Sequence, residues 1–406
     1  MPGESTIDLT NPDLYEHGFP HEVFARLRAE APVHWQAFDG RVPNTVEPGA
    51  WVLSKHADVQ AVNRDDTRFC AIDGPTLAYV PEMRGAMLVS MDGQQHSRQR
   101  RLISAGFTPR MIGKLDEQCR AWAAQLVDDT LELGELDFVE SVAYKLPMHM
   151  IADIVGIPPS DREWLFSVVS KLLGAFEPNS AISKDEALLH QIELFQYAEQ
   201  LGKAKRAQPA DDVWTTLSTA EVDGDGLGET ELNFFFMLLT AAGSETTRNA
   251  LTIGLAALVE HPEQFDRLRA DRTLLKSAVD EMIRWGSPVS YFARRATVDA
   301  EVRGVPIRAG DRVTLWYPSA NRDEEVFAEP FTFDITRTPN PYVSFGGGGP
   351  HYCLGASLAK LEMTILFDEL LNRTREVDVL APIAWQYLTP ANPILLATKE
   401  LRVRMS

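Results

Sequence analysis

"FGGGGPHYCLGASLAKLE", Phe345 to Glu362, sets four consecutive glycines, a proline, a histidine and a cysteine ahead of an apolar-periodic run. Leu354, Leu358, Leu361 and Ile365 recur at helical spacing, so Cys353 falls at the N-terminus of a helix. Three chemistries compete for such a loop. A phosphate loop needs a lysine and a hydroxyl residue after its glycines, whereas Pro350, His351, Tyr352 and Cys353 follow here. The dinucleotide fingerprint fails because no third glycine stands at its spacing after Gly347 and Gly349. A tetrahedral zinc site wants further Cys or His ligands close by, and only His351 is near.

The plain alternative is that Cys353 is a small buried hydrophobe, as most free cysteines are. Against it, glycines let backbone approach a planar ligand closely. Backbone N–H groups and the dipole at a helix N-terminus also lower a thiol pKa and favour the thiolate. A thiolate at the mouth of a helix suits the axial position of haem iron.

The rest of the chain sets limits. Its 406 residues contain no Gly/Ser linker, low-complexity tract or repeat, so one domain over residues 1–406 is expected. The composition is 45% hydrophobic, enough for a large core. A net charge of -19 argues against a general nucleic-acid binder. The start "MPGESTIDLTNPDLYEHGFP" lacks the pattern of a signal peptide or anchor, and no later run suits a membrane span. Three scattered cysteines (Cys70, Cys119, Cys353) suggest no disulfide framework, which points to a reducing, cytoplasmic setting.

Helical periodicity dominates: "HEVFARLRAEA", Gln95 to Leu133 with a break at "GFTPRM", "REWLFSVVSKLLGAF" and "DEALLHQIELFQYAEQLGKAKRA". The longest helix runs from Glu229 to Glu260 and is apolar on nearly every face in its first half, so it should cross the interior. Strands are expected in "PVHWQ", "AWVLSK", "RRATVDAEV" and "VPIRAGDRVTLWY". The fold class is mainly α with a small β-rich lobe.

On these residues the chain resembles the cytochrome P-450 superfamily of haem-thiolate monooxygenases, over nearly its whole length. The signature matches at Phe345, Gly348, Cys353 and Gly355, with one extra residue between Phe345 and Cys353. That "GGGGPH" form is similar to bacterial members acting on steroids, terpenoids or methyl-branched lipids. The resemblance implies the cytochrome P-450 fold, a haem b cofactor and Cys353 as the iron ligand.

Further matches carry further expectations. Haem propionates call for cations, and His96 and Arg100 in "HSRQRRL" share a helix face. A solvated basic turn with Arg98 and Arg101 is the plain alternative. By resemblance His96, Arg100, Arg294 and His351 contact the propionates, with Arg295 the adjacent alternative to Arg294. Where the family often has one more propionate-binding histidine, this chain has Tyr342. Glu281 and Arg284 in "EMIR" could be a surface pair three residues apart. The resemblance makes them a buried network with Arg337 that holds the cysteine loop.

In "AAGSETT", polar residues could simply bond back to the preceding turn, but a mid-helix glycine costs about 1 kcal/mol relative to alanine and wants a reason. The resemblance supplies a local distortion beside the iron. It places Ala242 and Gly243 over the haem and makes Glu245 and Thr246 the acid–alcohol pair that delivers protons. The pocket would be lined by "GPTLAYVPEMRGAML", Leu238, Leu239 and Ala242, "PVSYF" with Val289 and Ser290, and "ANPIL" with Ile394.

The implied activity is hydroxylation of a C–H bond of a lipophilic small molecule. Dioxygen would be the oxidant, with two electrons from NAD(P)H through a ferredoxin and its reductase. Arg98 and Arg101, near Arg110, would attract an acidic ferredoxin. A peroxygenase, or a non-catalytic haem sensor, is the alternative, and the Glu245–Thr246 pair argues against both.

Overall fold

The structure is a computed structural model that describes residues 7–40, 42, 45, 47–78, 84–175, 182–222, 224–387 and 396–406. Helices α1 (His21–Glu30) and α2 (His56–Arg64) flank the first two strands, and α3 (Gly93–Ser104), α4 (Pro109–Leu133) and α5 (Lys145–Val155) follow. Next come α6 (Arg162–Gly174), α7 (Lys184–Ala207), α8 (Val213–Thr219) and the long α9 (Glu229–Glu260). After α10 (Pro262–Ala270) and α11 (Leu275–Gly286) the chain turns to strands. The short α12 (Tyr317–Ala320) then precedes α13 (Ala356–Arg373), the helix behind the cysteine.

Helix α9 occupies the span its sequence predicts, and it is the axis of the fold. Leu232, Phe235, Phe236 and Met237 in its first half, and Leu251, Leu255 and Leu258 in its second, are buried in one large cluster. Helices α5, α7, α10, α11 and α13 all pack on it. Its first turn is closed by the Gly228 N–H, which donates to the Glu231 carboxylate at 2.9 Å. The polar residues inside it return their hydroxyl protons one turn back: Thr240 to the Phe236 carbonyl, Ser244 to Thr240 and Thr252 to Arg248.

The β portion is a sheet ordered Val33–Ala37, Gly49–Leu53, Arg312–Trp316, Tyr291–Ala296 and Phe69–Cys70. The strand Arg312–Trp316 is parallel to Gly49–Leu53 and antiparallel to Tyr291–Ala296. Every residue of Arg312–Trp316 is buried because both faces of the sheet are covered. Tyr291, Ala293 and Trp316 face one apolar cluster, and Val313 and Leu315 face another. "RRATVDAEV" divides into the end of Tyr291–Ala296 and a separate hairpin strand, Ala300–Val302. Helix α5 is largely buried, with a narrow polar stripe of Lys145, His149 and Asp153 at four-residue spacing.

The cysteine loop is held from below by a buried ion pair. Glu281 and Arg284 have no exposed side-chain surface and meet in a fork, with Nη2–Oε1 and Nε–Oε2 both at 2.7 Å. Arg337 Nε donates to Glu281 Oε2 at 3.2 Å, as the resemblance implied. Arg284 Nη1 also donates to the Asn321 carbonyl at 2.9 Å. The Asn321 side chain then donates to Ser344 Oγ at 2.8 Å and accepts from the Val343 N–H at 2.8 Å. The charge pair is thus two bonds away from the residues that enter the glycine loop.

Glu281→Gln removes the charge that balances Arg284 where water cannot reach, a loss of about 3–5 kcal/mol for a broken buried pair. Urea unfolding should show a loss of that order, with weaker retention of cofactor. An unfolding midpoint equal to the parent's would show that the pair does not hold the loop.

Candidate active site

The four glycines Gly346, Gly347, Gly348 and Gly349 adopt φ values of 98°, 64°, 104° and 87°, a left-handed run that side chains resist. They also press on α2. A Cβ on Gly349 would lie 2.6 Å from the Asn63 carbonyl oxygen, and one on Gly348 would lie 2.9 Å from Arg64 Nε. Arg64 Nε donates to the Gly347 carbonyl at 3.0 Å. The expectation that these glycines clear space for a flat ligand is therefore corrected at Gly348 and Gly349, whose side-chain directions are filled by α2. The loop closes where the Cys353 N–H donates to the Phe345 carbonyl at 3.0 Å.

Cys353 is exposed, whereas Cys119 is buried and Cys70 half-buried. Burial by surrounding protein pushes the Cys353 thiol up, and the N–H groups of Gly355 and Ala356 and the charge of Arg100 offset this only in part. A helix N-terminus alone would lower it, so desolvation by the protein packed around this otherwise accessible sulfur outweighs the dipole. A bound metal ion supplies the missing positive charge, since a coordinating thiol is deprotonated outright. Among the described residues no group of three His, Cys, Asp or Glu could hold a metal ion. Cys353 therefore suits an iron whose remaining ligands come with its own macrocycle.

A cationic cluster converges beside it. The rings of His96, from α3, and His351, from the loop, lie 4.4 Å apart. His351 Nε2 is 3.3 Å from Asp92 Oδ1, and Arg100 donates to the Tyr352 carbonyl at 2.6 Å. Arg294 is buried and donates to Asn63 Oδ1 at 3.2 Å. His96 Nε2 is buried with no partner. Its imidazole is pushed down to about 4, first by burial and then by the charges of His351 and Arg100. An unpartnered donor among cations fits carboxylates such as haem propionates, which would satisfy both the hydrogen bond and the charge.

Neighbouring groups bear on two expectations. Arg295 is bound to Asp73, Glu47 and the Gly310 carbonyl, so Arg294 is the strand residue turned to the cluster. Tyr342 donates to Asp280 at 2.8 Å under the ammonium of Lys360, which gives its hydroxyl a structural partner.

On α9, Ala242 is exposed within an otherwise buried helix. Gly243 faces elsewhere: a Cβ there would meet Ile151 Cδ1 of α5 at 2.9 Å, so a larger residue would need the Ile151 side chain to shift. Helix α9 runs through the motif unbroken, and the expected distortion is absent from this structure. Thr246 Oγ1 donates to the Ala242 carbonyl at 2.8 Å. Glu245 is buried and ion-paired to Arg248 one turn on. Its charge, after burial, helps push the Tyr144 hydroxyl up to about 12. The acid and the alcohol are neighbours in sequence with different partners. Arg248 went unassigned in the sequence, although its i+3 spacing from Glu245 was there to read.

Leu238, Leu239 and Val289 are half-buried, while Ser290 is fully buried and its carbonyl accepts from the Tyr317 N–H at 3.0 Å. Phe345 and Gly355 are half-buried beside the cysteine, with the Gly355 Cβ direction 4.0 Å from Cys353 Sγ. Ile394 lies outside the described residues, as do residues 79–83 of the first pocket segment. Arg98 is held by Asp225, by Glu231 at 2.8 Å and by the Gly226 carbonyl at 2.7 Å, so it is an internal tie and not the open cation expected of a docking surface. Arg101 and Arg110 are exposed. Among the described residues no helix is long and apolar enough to cross a membrane.

Comparison with known proteins agrees with this geometry. The family profile described as Cytochrome P450 matches residues 181–375. A steroid C26-monooxygenase of Rhodococcus jostii is 38% identical over 92% of this chain and 80% of its own length. A methyl-branched lipid omega-hydroxylase of Mycobacterium bovis is 41% identical over 87% of this chain and 85% of its own. A Mycobacterium marinum cytochrome P450 solved in complex with pseudoionone superposes with a TM-score of 0.86, at 36% identity over 95% of this chain and 94% of that one. With the open thiol at the start of α13 and relatives that span most of both chains, this protein belongs to the cytochrome P450 family of haem-dependent monooxygenases.

Proposed function

We propose that this enzyme hydroxylates a C–H bond of a lipophilic small molecule, a steroid, terpenoid or branched lipid. Two electrons would come from NAD(P)H through a ferredoxin and its reductase. The observation that carries the reading is an exposed Cys353, bonded by two helix N–H groups, beside a buried His96 that lacks a hydrogen-bond partner. The substrate class is supported by relatives named for steroid C26 oxidation and for omega-hydroxylation of methyl-branched lipids. The half-buried Leu238, Leu239 and Val289 suit an apolar ligand.

Haem held at Cys353 supplies dioxygen activation, with the thiolate favouring O–O cleavage. The protein's own groups do the rest. The N–H groups of Gly355 and Ala356 steady the sulfur, and His96, Arg100, Arg294 and His351 receive the propionates. Thr246 is the alcohol of the site: its proton now rests on the Ala242 carbonyl and can turn toward the exposed side of that residue. Glu245 is the acid behind it, and it can carry protons inward only when its pair with Arg248 opens. Apolar side chains around them keep bulk water out, so protons arrive by this route and not at random. Arg101 and Arg110 are the exposed cations of the surface expected to meet an acidic electron donor. Such an attraction weakens as the screening length falls to about 8 Å at physiological salt.

Cys353→His should abolish the red-shifted Soret band that the carbon monoxide complex of a thiolate-bound haem shows. A variant that kept the band would place the ligand elsewhere.

Thr246→Ala should still bind haem and substrate and still consume NAD(P)H. Product formed per NAD(P)H should fall severalfold, with hydrogen peroxide rising to match, because no hydroxyl beside Ala242 would remain to order proton delivery. Glu245→Gln should mainly slow turnover. Parallel assay of product, peroxide and NAD(P)H decides the matter, and a Thr246→Ala enzyme as tightly coupled as the parent would remove Thr246 from the proton route.

A further inference from the structure

Arg312 opens the strand Arg312–Trp316 and is 1% exposed. A guanidinium carries five N–H donors, and a buried one is ordinarily met by a carboxylate. Arg312 makes one hydrogen bond, from Nη2 to the Thr76 carbonyl at 2.6 Å. Its Nε and Nη1 are buried with no partner. The carboxylates nearby are engaged by other groups. Across the sheet Arg312 stands opposite Arg295, and Arg295 binds both Asp73 and Glu47. Arg84 takes the second oxygen of Asp73 at 3.1 Å. Three guanidinium groups (Arg84, Arg295, Arg312) thus share two carboxylates (Asp73, Glu47), leaving one positive charge over. The member of the trio that is out of contact with a carboxylate is also the most deeply buried.

The place matters as much as the charge. Thr76 is followed by Leu77, whose N–H donates to the Tyr291 hydroxyl at 3.4 Å. Leu77, Tyr291 and Leu396 share one apolar cluster, on the face of the sheet to which Arg312 and Arg295 belong. Thr76 and Leu77 belong to the described part of the first segment expected to line the substrate pocket, 74–88, and Tyr291 belongs to the second, 288–292. A cation with free donors is therefore set beside Thr76, Leu77 and Tyr291 at the edge of that apolar cluster.

We propose that Arg312 receives a carboxylate borne by the substrate, at the end remote from the carbon that is oxidised. The inference rests on the lipophilic-substrate reading above and narrows it to lipid acids. A carboxylate brings the charge that the trio lacks and lone pairs for the open N–H groups, whereas an ester, alcohol or ketone brings acceptors without charge. The apolar body of the same molecule would lie along the Leu77, Tyr291 and Leu396 surface.

The test uses the haem-loaded enzyme, with isopalmitic acid and its methyl ester as probes, followed by the Soret shift and by calorimetry. The parent should bind the acid roughly tenfold or more tightly than the ester, the value of one charge-assisted contact. Arg312→Gln should erase that preference while keeping ester affinity. Arg312→Lys, which keeps the charge and repacks more gently, should retain part of it and serves if the glutamine variant fails to fold. Equal affinity of the parent for acid and ester overturns the proposal, as does a preference that survives unchanged in both variants. If neither probe binds the parent, the lipophilic-pocket reading falls together with this one. Binding of the ester without preference for the acid leaves that reading standing and removes only the role of Arg312.

Discussion

The Glu281–Arg284 pair is the constraint on which the cysteine loop depends. Neither side chain sees solvent, and each uses its remaining hydrogen-bonding capacity on backbone of a different segment. Arg284 reaches the carbonyls of Asn321 and Pro330, and Glu281 accepts from the Asp334 N–H. Buried ion pairs often add little net stability, because desolvation offsets attraction. Here the pair gives direction. Irregular chain from Asn321 to Val343 has few regular backbone bonds of its own, and the two charges dictate where it passes. Asn321 then transmits that position to Val343 and Ser344, immediately ahead of Phe345.

Around the cysteine the same physics runs in the other direction. Polar groups there are left short of partners: His96 Nε2 has none, and the Cys353 thiol is raised by its surroundings. Some buried polar groups elsewhere are paired, as Asn249 is with Thr398 or Glu281 with Arg284, and others, such as Arg322 Nε and Glu362 Oε2, are not. What sets the cysteine region apart is that its open donor lies among cations, a setting complementary to an anionic cofactor. Arg312 shows the same imbalance on the opposite face of the sheet that carries Arg294.

Much of this was legible before any coordinates. The span Glu229–Glu260 and the position of Cys353 ahead of a helix were read from the chain, the partnership of Glu281, Arg284 and Arg337 was implied by the family resemblance, and all three hold in the structure. Other readings assigned the right residues for reasons that differ. Gly349 is required by the backbone of α2, while Gly348 lies against Arg64 and Gly243 against Ile151, contacts between segments far apart in sequence. Arg98 reads as an exposed cation because its helix is polar, yet a hairpin from the start of α9 folds back and binds it. Helix α5 carries its helical period only in the three polar positions Lys145, His149 and Asp153, a narrow stripe on a mostly apolar segment.

By itself the sequence determined the helical frame, the cysteine at a helix start and the set of charged side chains near it. Spacing along one chain decides which residues share a helix face, and that is local geometry. The tertiary structure alone decided how those side chains divide their partners. Arg294 turns to His96 and Asn63 while Arg295 is consumed by Asp73 and Glu47, although the two are adjacent and chemically identical. Alternation along a strand sends neighbours to opposite faces, and only the packing of distant segments says what waits on each. The same holds for Glu245 and Thr246, one paired with Arg248 and the other with the Ala242 carbonyl. A charge is written in the sequence, but whether it meets a counter-charge, water or nothing is settled by the fold that surrounds it.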